Sequence, residues 1–338
     1  MGILIEFFIY ECEYESIGAE KNMSRKDKPI ILSGLMPATI TPFNDNLEVD
    51  YLSLEKHLRE TLTPEGVTGV VVNAGLAEIL QLKLEEQIEI LELTKRLLQP
   101  GQILVTGLIG LSAHEMIEKG LKLKAAGAQA FLVFPPFDIR AYRKLFQHLP
   151  SVTNFYTQLS QELNEPLIVF AYPPQSGSSY TLDSLRAVAK LQNVVAIKAA
   201  SGNILTYQEI WNALHDELSI LVALDSPPLL DMLLYGSHGA LIGISAIATK
   251  KWAELLNLIR QNEIKRANEL FDKVCRPLMA SVFENQQPKR PTSEAASVKE
   301  ALRQMGQLQN SLVRPPAVNV DDEVIREIQE SLKASGLI

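Results

Sequence analysis

From Leu35 onward, short runs of apolar and β-branched residues alternate with longer segments whose apolar positions recur at helical period. Eight runs stand out: Met36–Thr41, Gly69–Asn73, Ile103–Gly107, Ala130–Phe134, Leu167–Tyr172, Val194–Lys198, Ile220–Leu224 and Ala240–Ile244. Most are unbroken rather than alternating, which predicts parallel strands covered on both faces. The segments between them predict helices with recognisable ends. Leu84–Leu98 places Leu84, Ile88, Leu91 and Leu98 near one face and stops at Pro100-Gly101. Ser112 predicts an amino-terminal cap for Ala113–Ala126, with Glu115 completing a capping box and Gly127 ending the helix. Eight strand–helix units over about 230 residues predict an α/β fold, a closed (β/α)8 TIM barrel. A doubly wound open sheet gives the same alternation, although no G-x-G-x-x-G turn follows the first strand.

Beyond Asn262 the strand pattern stops. Three helical segments follow, Glu263–Glu284, Ser297–Gly306 and Asp321–Ser335, the first two separated by a polar, proline-containing loop at Asn285–Ser293. The organisation read from the chain is therefore an amino-terminal extension (1–31), a barrel (32–262) and a carboxyl-terminal helical region (263–338). Residues Ile3–Ile9 are apolar, but Glu6 interrupts them and neither a basic flank nor a small-residue cleavage site is present, so they do not read as a signal peptide. Met23 opens a second plausible start, and residues 1–22 read as a mis-assigned start or a flexible extension.

Composition narrows the function classes. With 32 Lys and Arg against 40 Asp and Glu the net charge is −8. No basic stretch offsets it, so no nucleic-acid partner is expected. No run approaches the roughly 20 apolar residues of a membrane span, so no membrane partner is expected either. Two cysteines, Cys12 and Cys275, fit neither a disulfide scaffold nor a zinc site and point to a reducing, cytoplasmic compartment. The five histidines show no metal-ligand spacing, and neither a metal nor another cofactor is expected.

In a parallel barrel, chemistry sits at the carboxyl ends of the strands. Lys198 ends the sixth run, where an apolar barrel mouth would favour the neutral amine that a Schiff base requires. A strand-end lysine also serves simply to reach solvent. Tyr172 ends the fifth run, one strand over and at the same height, where a phenol can relay protons. It can equally be an amphipathic core residue. After the second run, Asn73-Ala74-Gly75-Leu76-Ala77-Glu78 forms a small-residue turn whose amides at Gly75 and Leu76 can hold a carboxylate. Thr39 and Thr41 end the first run and can orient the lysine or satisfy backbone groups. Asp225, with Ser226, and Ser245 follow the seventh and eighth runs as candidate polar contacts, or as helix caps.

Several segments, taken in order, resemble the dihydrodipicolinate synthase / N-acetylneuraminate lyase superfamily. Pro37-Ala38-Thr39-Ile40-Thr41-Pro42-Phe43 is similar to its T-P-F segment. Glu78 matches a G-E glutamate, and Leu84-Glu85-Glu86 an L-x-x-E-E helix start. Tyr172-Pro173-Pro174 resembles the Y-N-x-P proton-relay segment. Ala196-Ile197-Lys198-Ala199-Ala200-Ser201-Gly202-Asn203 resembles the G-I-K-[DE]-x-[ST]-G-[DN] Schiff-base segment. Val298-Lys299 and Val313-Arg314-Pro315-Pro316 resemble the carboxyl-terminal helices and tail. The resemblance implies a (β/α)8 barrel, usually a homo-oligomer (tetramer or dimer), in which Lys198 forms a Schiff base with pyruvate or another 2-oxo acid. Tyr172 would handle protons, and Gly75 and Leu76 the carboxylate.

The departures redirect that expectation. The synthase's G-T-T-G-E turn reads Ala74-Gly75-Leu76-Ala77-Glu78 and lacks both hydroxyls. Its P-Y-Y-N reads Pro135-Pro136-Phe137-Asp138, so the second relay tyrosine is Phe137. The arginine that meets the second substrate has no counterpart, Gln175 being the nearest polar candidate. The expectation is therefore an aldolase, lyase or dehydratase acting on another 2-oxo acid. The alternatives are dihydrodipicolinate synthase proper, or a degenerate homologue that binds a 2-oxo acid without turnover.

Overall fold

A computed structural model describes residues 24–136, 144–283 and 293–338 of the 338-residue chain, and all of Gln175 but its side chain. Eight parallel strands are hydrogen-bonded in the order β1-β8-β7-β6-β5-β4-β3-β2. They span Gly34–Leu35 (β1), Gly69–Val72 (β2), Ile103–Leu108 (β3), Ala130–Val133 (β4), Leu167–Ala171 (β5), Val194–Ala199 (β6), Ser219–Val222 (β7) and Gly239–Ala240 (β8). The ends of that order meet through bridges from Leu35 to Val67 and from Ala38 to Val71, which closes the barrel. An open sheet is thereby excluded.

The helices follow the strands: α1 Tyr51–Leu62, α2 Leu84–Leu97, α3 Ala113–Ala126, α4 Leu149–Leu163, α5 Leu182–Ala189, α6 Ile204–Leu214, α7 Leu229–Tyr235 and α8 Thr249–Arg260. Alternate strand residues divide the core in two. Val71, Val105, Leu132, Ile168 and Leu221 fill the inside with Met36 and Leu241, while Val70, Leu104, Phe131, Val169 and Ile220 pack outward against the helices.

The first and last strands are shorter than the sequence suggests. Pro37 and Pro42 have no N–H to give, so the ladder after Leu35 continues only as separate bonds: Met36 and Ala38 N–H to the Ala240 and Ile242 carbonyls on one side, and Thr39 N–H to the Val71 carbonyl and Val71 N–H to the Pro37 carbonyl on the other. At the other end, Ile244 belongs to a 3₁₀ turn over Ile244–Ala246. The barrel closes where two glycines face each other, Gly34 opposite Gly239. A Cβ on Gly239 would lie 2.2 Å from the Gly34 carbonyl oxygen, and backbone cannot swing aside. Gly239→Ala is therefore expected to cost about 1–3 kcal/mol of stability, read as a lowered urea midpoint at unchanged slope.

The Ser112 hydroxyl accepts from Glu115 N–H as expected, but the Glu115 carboxylate accepts from Leu111 rather than completing a capping box. After α8, the expected single helix is α9 (Ile264–Leu270), a π-helical turn (Phe271–Cys275) and α10 (Arg276–Val282). Pro277 cannot donate into a regular helix, and the widened turn just before it absorbs that loss. Helices α11 (Glu294–Gln304) and α12 (Asp322–Ala334) complete the chain. Packing begins before residue 32. Lys28 is buried, and its Nζ donates to the Ala189 and Leu191 carbonyls at 2.7 and 2.8 Å, closing the end of α5. Cys275 is buried and unpaired, and Cys12 and Met23 lie outside the described residues. No helix among the described residues is long and apolar enough to cross a membrane.

Candidate active site

Alternation along β6 decides where Lys198 points. Ala196 belongs to the inner core, and Lys198, two residues on, shares its face at the carboxyl end of the strand. Across the ladder it is opposite Phe170 of β5. Its Nζ lies 3.9 Å from the centre of that ring. Tyr172, two residues past Phe170, stacks on the same ring with centroids 4.2 Å apart and planes 23° from parallel. An amine and a phenol thus flank one aromatic ring at the barrel mouth.

Both line a cavity of about 570 Å³ together with Gly75, Leu76, Asp225, Ser226, Phe283 and Glu294. Burial lowers the Lys198 pKa from 10.5 to about 8, opposed by the carboxylates of Asp225 and Glu294. At pH 7 an amine with that pKa is about 10% neutral, against about 0.03% for an unperturbed lysine. Burial, and then Glu294, push the Tyr172 phenol above its ordinary value, so it remains protonated. Burial also raises Asp225, opposed mainly by backbone N–H donors of which Ile244, at 2.8 Å, is the first.

The turn after β2 runs between two residues with left-handed backbone, Asn73 (φ 50) and Glu78 (φ 58). The Asn73 amide donates to the Gln87 carbonyl at 3.0 Å, and the Glu78 N–H to the Gly75 carbonyl at 3.0 Å. Among the described residues no acceptor takes the N–H of Gly75 or Leu76. A Cβ at Gly75 would meet nothing within 4 Å, so there is open space on that side of the turn, and both residues line the cavity. Two unpartnered N–H groups lining the same cavity as a neutral-prone amine can serve a 2-oxo carboxylate.

Not every candidate from the sequence reaches the cavity. The Thr39 and Thr41 hydroxyls are buried and donate to the Val71 and Ala77 carbonyls at 3.3 and 3.0 Å. Ser245 is buried and donates to the Ile242 carbonyl at 2.8 Å. Asp225 caps no helix: α7 starts after Pro228, and the carboxylate instead accepts from Ile244 across the mouth. Phe137, Asp138 and the side chain of Gln175 lie outside the described residues. A larger groove of about 810 Å³, outside the barrel along α1 and the start of α8, gathers none of the candidates.

The sequence profile of the Dihydrodipicolinate synthetase family matches residues 31–335. The chain belongs to that family. A 4-hydroxy-tetrahydrodipicolinate synthase of Archaeoglobus fulgidus is 29% identical over 317 residues, covering 91% of this chain and all of that one. Among solved structures, dihydrodipicolinate synthase from Acinetobacter baumannii complexed with pyruvate superposes with a TM-score of 0.80 at 24% identity, over 90% of this chain and 99% of the other. N-acetylneuraminate lyase from Fusobacterium nucleatum gives 0.74 at 17%, over 89% and 98%. Dihydrodipicolinate synthetase family members are Schiff-base lyases and synthases, so this chain is an enzyme of that kind.

Two features of this family member escape sequence reasoning. Glu294, the first residue of α11, reaches the cavity only because the carboxyl-terminal helices fold back over the barrel, which no local pattern announces. The motif residues Phe43, Glu78, Glu86, Lys299 and Arg314 meet in one cluster beside the turn that follows β2. Lys299 Nζ donates to Glu78 Oε1 at 2.5 Å, and the Arg314 N–H donates to Glu78 Oε2 at 2.9 Å. The Arg314 guanidinium forks onto both Glu86 oxygens at 2.6 and 2.7 Å, and both cations lie over the Phe43 ring.

Proposed function

We propose that this family member is a class I lyase that forms or cleaves a carbon–carbon bond of a hydroxylated 2-oxo acid through a Schiff base on Lys198. The observation that carries this is one cavity shared by a desolvated amine, a protonated phenol and two unpartnered backbone N–H groups. The amides of Gly75 and Leu76 take the carboxylate, and the neutral Lys198 amine attacks the adjacent ketone carbon. The Tyr172 phenol gives its proton to the carbinolamine oxygen, which leaves as water. The protonated imine then draws electrons from the bond between C3 and C4. The C4 hydroxyl gives its proton to the phenolate, an aldehyde leaves, and the remaining enamine takes a proton at C3. Hydrolysis frees Lys198 and the shortened 2-oxo acid.

The charge of the cavity supports hydroxyl groups on the distal part of the substrate. Among the described lining residues Lys198 is the single cation, while Asp225 and Glu294 carry carboxylates. Hydroxyl groups can donate to these, whereas a second substrate carboxylate would be repelled. The same observation weighs against the activity named for the Archaeoglobus fulgidus relative, in line with the missing arginine. Assembly as a homotetramer, usual in the family, is proposed with it.

Borohydride reduction in the presence of pyruvate, followed by peptide mass mapping, is expected to place a reduced adduct on Lys198. No adduct across a panel of small 2-oxo acids would sink the proposal. The pH dependence has a definite sign. The reactive form is the deprotonated amine, and its pKa is lowered to about 8. Trapping rates should therefore climb from pH 6 and level off above pH 9, with a midpoint near 8. A lysine at its ordinary 10.5 would still be climbing there.

A further inference from the structure

We infer that Lys299, on α11, is a positioning residue for substrate: by holding the Glu78 carboxylate it sets the turn whose Gly75 and Leu76 amides receive the 2-oxo carboxylate. The inference rests on the proposed roles of Lys198 and of those two amides.

The turn depends on its ends. Asn73 and Glu78 both adopt left-handed backbone, a conformation that asparagine tolerates but that a glutamate holds only when its surroundings impose it. At the Asn73 end the restraint comes from the barrel. Its side chain bonds to α2, and its carbonyl lies so close to Gly107 that a Cβ there would be 2.0 Å from the oxygen. In the middle, the Thr41 hydroxyl holds the Ala77 carbonyl. At the Glu78 end the restraint is ionic and comes from the far end of the chain. Glu78 is 5% exposed and Lys299 1%, and each carboxylate oxygen has its own donor, Lys299 Nζ on one and the Arg314 N–H on the other. Lys299 gives a second bond to the Leu312 carbonyl at 2.8 Å.

Without the ammonium, a buried carboxylate would be left with one neutral donor. It regains solvation by turning toward water, which releases the left-handed backbone and with it the direction of the Gly75 and Leu76 amides. Neither Lys299 nor Glu78 lines the cavity, so the effect on substrate is transmitted through the backbone of the turn. The predicted signature is selective: binding of the substrate carboxylate suffers, and attack by the Lys198 amine on a ketone does not.

The test compares pyruvate with its methyl ester, which presents the same ketone without the anionic carboxylate, using cyanoborohydride trapping on Lys198 as the readout. In Lys299→Met the half-saturating pyruvate concentration should rise at least about tenfold. Its maximal trapping rate, and both parameters for methyl pyruvate, should stay within about twofold of the unaltered protein. Glu78→Gln/Lys299→Met removes both charges, is expected to fold more stably than the single variant, and should still bind pyruvate weakly; it decides the matter if the single variant is too unstable to assay. Unchanged pyruvate half-saturation in the folded variants overturns the inference. Equal losses for pyruvate and its ester also overturn it, because they indicate a general structural role. If the unaltered protein traps another small 2-oxo acid in place of pyruvate, the comparison is run with that acid and its methyl ester; no Lys198 adduct with any small 2-oxo acid overturns the Schiff-base reading, and the inference with it.

Discussion

Lys198→Ala is expected to yield no reducible adduct with any 2-oxo acid and to lower turnover on the order of 10⁴-fold or more, the scale of losing a covalent catalyst. Lys198→Arg should fare no better, because a guanidinium keeps its proton at any pH the protein survives. Folding gives a clean control. Among the described residues the Lys198 Nζ makes no hydrogen bond, and its packing partner is the face of Phe170. The alanine variant loses that contact but also relieves the cost of a desolvated amine, so its urea midpoint should stay close to that of the unaltered protein. Substantial residual turnover in a homogeneous Lys198→Ala preparation would remove the covalent mechanism outright.

Lys198 and Tyr172 were legible because strand alternation is a local rule. A residue two places beyond an inner-core position, at the carboxyl end of its strand, must face the mouth of a barrel, and Ala196 and Phe170 fix that phase. The same rule misled at Thr39, Thr41 and Ser245. There the regular strand has already ended at Leu35, or the chain has passed into the 3₁₀ turn, so position in an apolar run no longer says which way a side chain points. Asp225 read as either a polar contact of the site or a helix cap, because capping is the local use of an aspartate after a strand; it does line the cavity but caps nothing. Its actual partner, Ile244, lies 19 residues on and depends on barrel closure. Glu294 was invisible for the same reason. The resemblance flagged Phe43, Glu78, Glu86, Lys299 and Arg314 as motif positions without assigning them roles. Their meeting joins residues as far apart in the chain as Phe43 and Arg314, and only the folded tail shows that they answer one another.

Arg314→Met is expected to destabilise the protein by about 2–4 kcal/mol. The guanidinium is the hub of the tail's attachment: it donates to the Leu47 and Gln81 carbonyls at 2.8 Å, forks onto Glu86, and lies 4.4 Å from the centre of the Phe43 ring. Removing one partner of a fully buried ion pair costs about 3–5 kcal/mol. Here the two side chains are 15% and 18% exposed, so water recovers part of the loss. The pH dependence separates the ionic share from the packing share. The Arg314 fork, foremost among its contacts, holds the Glu86 carboxyl below its ordinary 4.5. A carboxyl depressed in the folded state adds stability that is fully present above 4.5 and is lost as pH falls through the folded value. The difference in unfolding free energy between the unaltered protein and Arg314→Met should therefore be widest near pH 7 and narrow progressively below pH 4.5. A gap that stayed constant down to pH 3 would assign the loss to the Phe43 contact and the two carbonyls, and leave the Glu86 fork without a net contribution.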